Sequence, residues 1–348
     1  PMAAKPLDNG GPEVQPVLGN DHTRGFRMRA LWQEVYGEPK AVLAIREVDQ
    51  PAVADDGVLL RVHSASIHVG DCYVIQGLPK AMRPIFGLRR PKSAIPGTDL
   101  AGTIESVGSA VEDWQPGDEV FLSTTGAFAE YAAVSAADLV AKPEGLDFES
   151  ASTLCVSAQT ALQAMRDHLA VESGHKVLVT GASGGVGSFA VQVAKAFGAE
   201  VTAVCSARNA ELVRSIGADH VIDYTSTDFT QGEERYDRIL DNVGAHSMSD
   251  TRKVLTPDGL LLSNGAAVGG WFGGLGHVFR SMLWSVASKQ QARPFVSTYR
   301  RADGEALKAL VEEGKVKPVI DSVFPLDDGA DAVAHVAAGH AQGKTIIT

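Results

Sequence analysis

The sequence predicts an α/β protein in which a β-rich domain is joined to a domain built on a doubly wound parallel sheet. Two changes of texture and one turn carry this expectation. From Arg27 to about Ser150, short strands follow one another with turns and no long helices between them. From about Thr153, strands alternate with helical segments, the pattern of parallel strands joined by right-handed crossovers. The first strand of that second region, Val177-Leu178-Val179, runs directly into Gly181-Ala182-Ser183-Gly184-Gly185-Val186-Gly187.

In the first region Val58-Leu59-Leu60-Arg61-Val62 and Gly102–Gly108 read as strands, and Pro116-Gly117-Asp118 is a turn leading into a third. Ser157 to Leu169 has helical spacing at Ala161, Leu162, Met165 and Leu169. Strands are then expected at 176–180, 201–205, 220–223, 237–241 and 259–263, with helices at about 185–197, 209–216 and 247–254. Residues 265–276 are glycine-rich around Trp271 and Phe272, and an amphipathic helix is expected at 277–289. They are read as the cover of a sheet edge, a wall of the substrate pocket or a subunit contact. Pro318-Val319-Ile320 and Phe324-Pro325-Leu326 read as strands returning to the first domain, and Gly343 to Ile347 as a last strand.

Bulk properties narrow the function classes. A chain of 348 residues exceeds one ordinary core and suits two domains. Its formal net charge of -11 argues against nucleic acid or an anionic membrane surface as partner. Cys72, Cys155 and Cys205 are far apart and odd in number, which gives neither a disulfide framework nor a metal clip and suits a reducing cytoplasm. The sequence has no apolar run long enough to span a bilayer, and its start lacks the apolar stretch of a signal peptide. Residues 1–25, rich in Gly, Pro, Asn and Asp, read as a flexible arm.

The glycine turn is the first candidate site. Glycines permit a tight bend and close approach of backbone to ligand, and the following helix directs its N-terminal amides and positive dipole end there. A dinucleotide pyrophosphate suits such a place; so does no ligand at all, because any sharp strand-to-helix turn can use glycines.

The order of short motifs then resembles the medium-chain dehydrogenase/reductase superfamily, in its zinc-free quinone oxidoreductase-like branch. The markers are His68-Val69-Gly70-Asp71-Cys72-Tyr73, Gly97-Thr98-Asp99-Leu100-Ala101-Gly102, Gly117-Asp118-Glu119-Val120, Thr160-Ala161-Leu162-Gln163-Ala164, the glycine turn, Gly217 to Tyr224, Asp241-Asn242-Val243-Gly244 and Gly343-Lys344. The resemblance covers about Arg27 to Thr348. It implies a GroES-like β-rich catalytic domain (26–151 and 301–348) interrupted by a Rossmann domain (152–300), with the active site in the cleft between them. It also implies a homodimer, and cofactor contacts from Thr160, Asn242, Gly265 and Lys344 besides Gly181, Ser183, Gly184, Gly185, Val186 and Gly187.

The expected cofactor is NADPH. NAD-specific sheets place Asp or Glu after the second strand to bind the ribose 2′-OH. Here Ser206-Ala207-Arg208-Asn209 follows that strand, with no carboxylate before Glu211. Arg208 can bind a 2′-phosphate bidentately and Ser206 can donate to it, and relatives also use the position of Tyr224.

No metal is expected. Along the pattern of zinc-dependent relatives the ligand positions fall on His68, Thr98 and Cys155, and a threonine hydroxyl is a poor zinc ligand. Asp99 is the residue that could substitute for it. The cysteine lobe that holds a structural zinc in such relatives is missing near residue 122. Without a Lewis acid, simple alcohol oxidation is difficult, whereas quinones and α,β-unsaturated carbonyls spread the incoming charge by conjugation. Hydride transfer from NADPH to a quinone or enone is therefore the leading expectation. Tyr73 falls where relatives carry a cleft tyrosine and is the candidate proton donor or carbonyl partner; it could equally be a packed aromatic. His68, where relatives often have Asn, is the second candidate for the oxygen end of the pocket. The alternatives are a carbonyl reductase or alcohol dehydrogenase acting on ketones or aldehydes, and a non-catalytic NADPH-binding protein.

Overall fold

A computed structural model describes residues 26–264, 290–339 and 341–348. The expected N-terminal arm, Gly265, Trp271, Phe272 and the 277–289 helix lie outside the described residues.

The chain opens with an antiparallel pair, β1 (Arg27–Gln33) and β2 (Leu43–Asp49). Then come β3 (Gly57–Ile67), β4 (Asp99–Val107), β5 (Glu119–Ser123), β6 (Tyr131–Ser135) and β7 (Val140–Ala141). Their runs of Val, Leu and Ile face one core containing Leu31, Val58, Leu60, Ile67, Leu100 and Phe128, which holds the short strands together; only short helices, such as Val69–Gln76 between β3 and β4, interrupt them.

The second region carries β8 (Lys176–Thr180), β9 (Glu200–Cys205), β10 (His220–Asp223), β11 (Tyr236–Asp241), β12 (Leu255–Ser263) and β13 (Gln291–Pro294). They form a parallel six-stranded sheet in the order β10-β9-β8-β11-β12-β13. Numbered within that domain this is 3-2-1-4-5-6, the Rossmann order, whose switch point lies between β8 and β11. The chain then returns through β14 (Ile320–Phe324) and β15 (Lys344–Ile347), which close on β3, giving β14-β15-β3-β4-β5-β7 with β6 also on β3.

β8 and β9 are buried on both faces, as their unbroken apolar runs require. The Gly185–Ala196 helix lays Phe189, Ala190 and Val193 against them, all 0% exposed. Truncating Phe189 to Ala would cost about 3–5 kcal/mol, the usual range for a buried aromatic.

Two elements differ from expectation. The helix after Thr153 is α-helical only over Val156–Gln163 and ends in a π turn, Ala164–His168. Phe324-Pro325-Leu326 is not a strand: β14 stops at Phe324 and a 3-10 turn follows at Leu326–Asp328. Proline cannot donate to a sheet ladder, so the strand ends there. Separately, Leu307 and Val316 lie in one core cluster with Val177 and Val201 of the parallel sheet and with Ala101, Phe121 and Val140 of the first region.

Candidate active site

The glycine turn sits at the carboxyl end of β8, beside the switch point. Gly181 has φ +59°, a left-handed conformation that favours glycine. A Cβ on Gly187 would lie 2.1 Å from the Gly181 carbonyl oxygen, so glycine alone lets the helix close on the turn. Gly184 stands at the N-cap with no side-chain cap, which leaves the leading amides of the 185–196 helix for an external acceptor. These features fit a dinucleotide pyrophosphate.

Both domains meet at this turn. Gly343 donates its N–H to the Ser183 carbonyl at 2.8 Å, and Gly184 and Gly343 form a parallel bridge. The next residue, Lys344, is 1% exposed and donates to Ser157 Oγ at 3.1 Å. Its Nζ lies 3.8 Å from Asp99 Oδ2. Asp99 is fully buried and also accepts from the Val156 N–H at 3.3 Å and from Ser66 Oγ at 3.4 Å. Burial lowers the pKa of Lys344 and raises that of Asp99, and each partner's charge opposes the other's shift.

At the other expected cofactor positions, Asn242 bridges two strand ends: its amide donates to the Thr180 carbonyl at 3.0 Å and its Oδ1 accepts from Asn264 at 2.8 Å. Thr180 Oγ1 in turn donates to Asp241 at 2.6 Å across the switch point. The Thr160 hydroxyl is turned onto the Val156 carbonyl and Ser297 Oγ, both at 2.6 Å, inside the protein.

Ser206, Arg208 and Tyr224 come together at the open ends of β9 and β10: the Tyr224 N–H donates to the Cys205 carbonyl at 3.1 Å, and Asp223 pairs with Cys205 in register. Arg208 and Tyr224 are exposed. A carboxylate that the linear reading missed stands here too. Asp223 Oδ1 accepts from the Ala207 N–H at 3.1 Å, and the carboxylate also takes the Thr225 N–H and hydroxyl. Those bonds hold its pKa below the usual range. It arrives from the neighbouring strand, which is why no count along the chain after β9 could find it.

On the catalytic side, His68 caps the Val69–Gln76 helix: Nδ1 accepts the Gly70 N–H at 2.8 Å and its backbone N–H donates to Asp71 Oδ2 at 3.0 Å. Nδ1 is therefore the unprotonated nitrogen, and Nε2 carries the hydrogen. Nε2 faces Thr98 Oγ1 at 2.8 Å, and the Thr98 hydroxyl donates to Asp71 Oδ1 at 3.0 Å. Burial lowers the His68 pKa to about 4 and raises that of Asp71 to about 6. At neutral pH the imidazole is neutral, and both its nitrogens are engaged within the protein.

Cys155 Sγ, at the third ligand position, donates to the Leu122 carbonyl at 3.1 Å, and burial raises its pKa well above normal. Among the described residues no group of three or more His, Cys, Asp and Glu is arranged to hold a metal ion. Tyr73, on the helix that His68 caps, is half-buried, and its hydroxyl has no protein hydrogen-bond partner among the described residues. Burial raises its pKa, so the phenol keeps its proton.

Comparison with known proteins accords with this geometry. Residues 54–144 match the family described as alcohol dehydrogenase GroES-like domain, and residues 216–347 match that described as zinc-binding dehydrogenase. A chloroplast envelope quinone oxidoreductase homolog of Arabidopsis thaliana is 34% identical, covering 93% of this chain and 99% of its own. The chain belongs to the medium-chain dehydrogenase/reductase superfamily, in its quinone oxidoreductase-like branch. Members of this superfamily similar to it include an NADPH-dependent alkenal/one oxidoreductase of the same plant, 33% identical over 92% of this chain and 79% of its own. The solved quinone oxidoreductase of Coxiella burnetii superposes with TM-score 0.81 at 26% identity, over 92% of this chain and 99% of that one. The fold is thus the superfamily's pairing of a GroES-like domain with a parallel-sheet Rossmann domain, and the protein is an oxidoreductase. Among the described residues no helix is long and apolar enough to cross a membrane.

Proposed function

We propose that this medium-chain reductase uses NADPH to reduce a quinone or an α,β-unsaturated carbonyl without a catalytic metal. The observation that carries the reading is the state of the ligand positions: His68 and Thr98 are bonded to each other and to Asp71, while Cys155 faces a carbonyl. A metal there would have to compete with every one of those bonds. Asp99, the residue that could replace the missing ligand, is engaged by Lys344. The substrates named for the relatives, quinones and alkenals or enones, need no Lewis acid.

Bound at the glycine turn, the dinucleotide would supply hydride from C4 of its nicotinamide. The amides at the start of the 185–196 helix would hold the pyrophosphate, with the buried Lys344–Asp99 pair behind them. Ser206, Arg208 and Tyr224 are placed to take a 2′-phosphate at the ends of β9 and β10. The Tyr73 phenol, protonated at neutral pH, would hydrogen-bond the substrate oxygen as charge develops on it. His68 acts indirectly, because it fixes the start of the helix that carries Tyr73. β13 ends the six-stranded sheet, and we assign the homodimer contact to that edge.

The test is NADPH consumption by chelator-treated protein against a quinone, an enone and a saturated ketone. Turnover of the first two and not the third is expected. Turnover of the ketone that requires added zinc would replace this reading with the alcohol dehydrogenase alternative.

A further inference from the structure

Asn209 lies at the N-cap of the Ala210–Ser215 helix, yet its side chain does not cap that helix. Although 5% exposed, it reaches across to the glycine turn, where Nδ2 donates to Ser183 Oγ at 2.7 Å. Its Oδ1 is buried with no hydrogen-bond partner among the described residues. The 3-10 turn Ala207–Asn209 runs straight into this helix, and an unpaired buried acceptor is destabilising. This side chain leaves one buried atom unsatisfied, and its single hydrogen bond is to the turn. Such a local departure from the packing rules marks a place shaped by function.

The consequence falls on Ser183. A hydroxyl has one proton to give and lone pairs to accept with. Because Asn209 occupies an acceptor site of Ser183 Oγ, the hydroxyl proton is left to donate, and among the described residues Ser183 Oγ has no acceptor. Ser183 is itself fixed from the other side through its carbonyl, which accepts the Gly343 N–H.

We propose that Asn209 is a positioning residue of the cofactor site, orienting the Ser183 hydroxyl as a donor to a phosphate oxygen of the dinucleotide. This rests on the glycine turn being the dinucleotide site. Because the amide is neutral, it does this without placing a second negative charge beside the phosphates, as an aspartate would.

The experiment is titration of NADPH by protein fluorescence on the full chain, with N209A, N209D, S183A and both double variants, each checked for native melting. N209A should raise Kd about fivefold and S183A about tenfold, the scale of one lost hydrogen bond. N209D keeps the side-chain volume but accepts the Ser183 proton, so it should weaken binding more than N209A does. In the S183A background, N209A should change Kd less than twofold. Equal effects of N209A with and without Ser183, or no effect at all, would overturn the proposal. Wild-type protein that binds no NADPH would overturn the cofactor reading as well, so the two failures are distinguishable.

Discussion

Lys344 and Asp99 meet in the interior from separate parts of the chain, Nζ 3.8 Å from Oδ2, with side chains 1% and 0% exposed. The pair joins β15 to β4, directly beneath the turn that Gly343 and Ser183 hold together. It ties the glycine-turn end of the protein to β4, which begins just after Thr98.

Removing one partner leaves an uncompensated buried charge. Lys344→Met should therefore destabilise the protein by about 3–5 kcal/mol, and adding Asp99→Asn should recover much of that loss. Urea unfolding midpoints at constant m-value check this. A loss below about 1 kcal/mol would mean the pair carries little.

The His68–Thr98–Asp71 chain makes a pH prediction. Asp71 has a folded pKa of about 6, above its unfolded value, so its contribution is full below the unfolded pKa and lost as pH rises through 6. His68 has a folded pKa of about 4, below its unfolded value, so its contribution is full above the unfolded pKa and lost as pH falls towards 4. The two oppose each other. Asp71→Asn removes only the first, so the stability of wild type relative to this variant should rise as pH falls from 7 to 4. A difference that stays flat across that range would show that Asp71 is not perturbed.

Much of this was legible in the sequence because the signals are local. β8 and β10 fall on the expected 176–180 and 220–223, where β-branched residues run up to a glycine or a turn. Thr98 could be seen only as a defect in a ligand set; that its hydroxyl links His68 to Asp71 depends on the start of β4 lying beside the Val69–Gln76 helix. Lys344 with Asp99, Asp223 with Ala207 and Asn209 with Ser183 are contacts between separate elements, and no spacing along the chain encodes them. The carboxylate of Asp223 matters most here, because the stretch after β9 has no acid of its own.

That carboxylate sharpens the test of cofactor choice. Its oxygens accept from Ala207 and Thr225, and under the proposed NADPH reading Ser206, Arg208 and Tyr224 are the residues to test against a 2′-phosphate. Arg208→Glu should raise the Michaelis constant for NADPH by about tenfold or more while moving that for NADH far less. Equal changes for both cofactors would remove Arg208 from this role.

Tyr73 is tested by the phenylalanine variant. Loss of one hydrogen bond to a developing charge should lower kcat/KM for an enone about threefold to tenfold. Because burial keeps the phenol protonated, the ratio to wild type should be constant from pH 6 to 8. A change under about twofold would make Tyr73 a packing residue.

The most direct measurement of the central claim follows the hydride itself. Chelator-treated protein is supplied with NADPH deuterated at C4 on the transferred face, together with an enone, and the product is analysed by mass spectrometry and NMR. One deuterium at the former β-carbon, with the carbonyl retained, is the predicted result. Deuterium on a new carbinol carbon would contradict it and make this protein a carbonyl reductase.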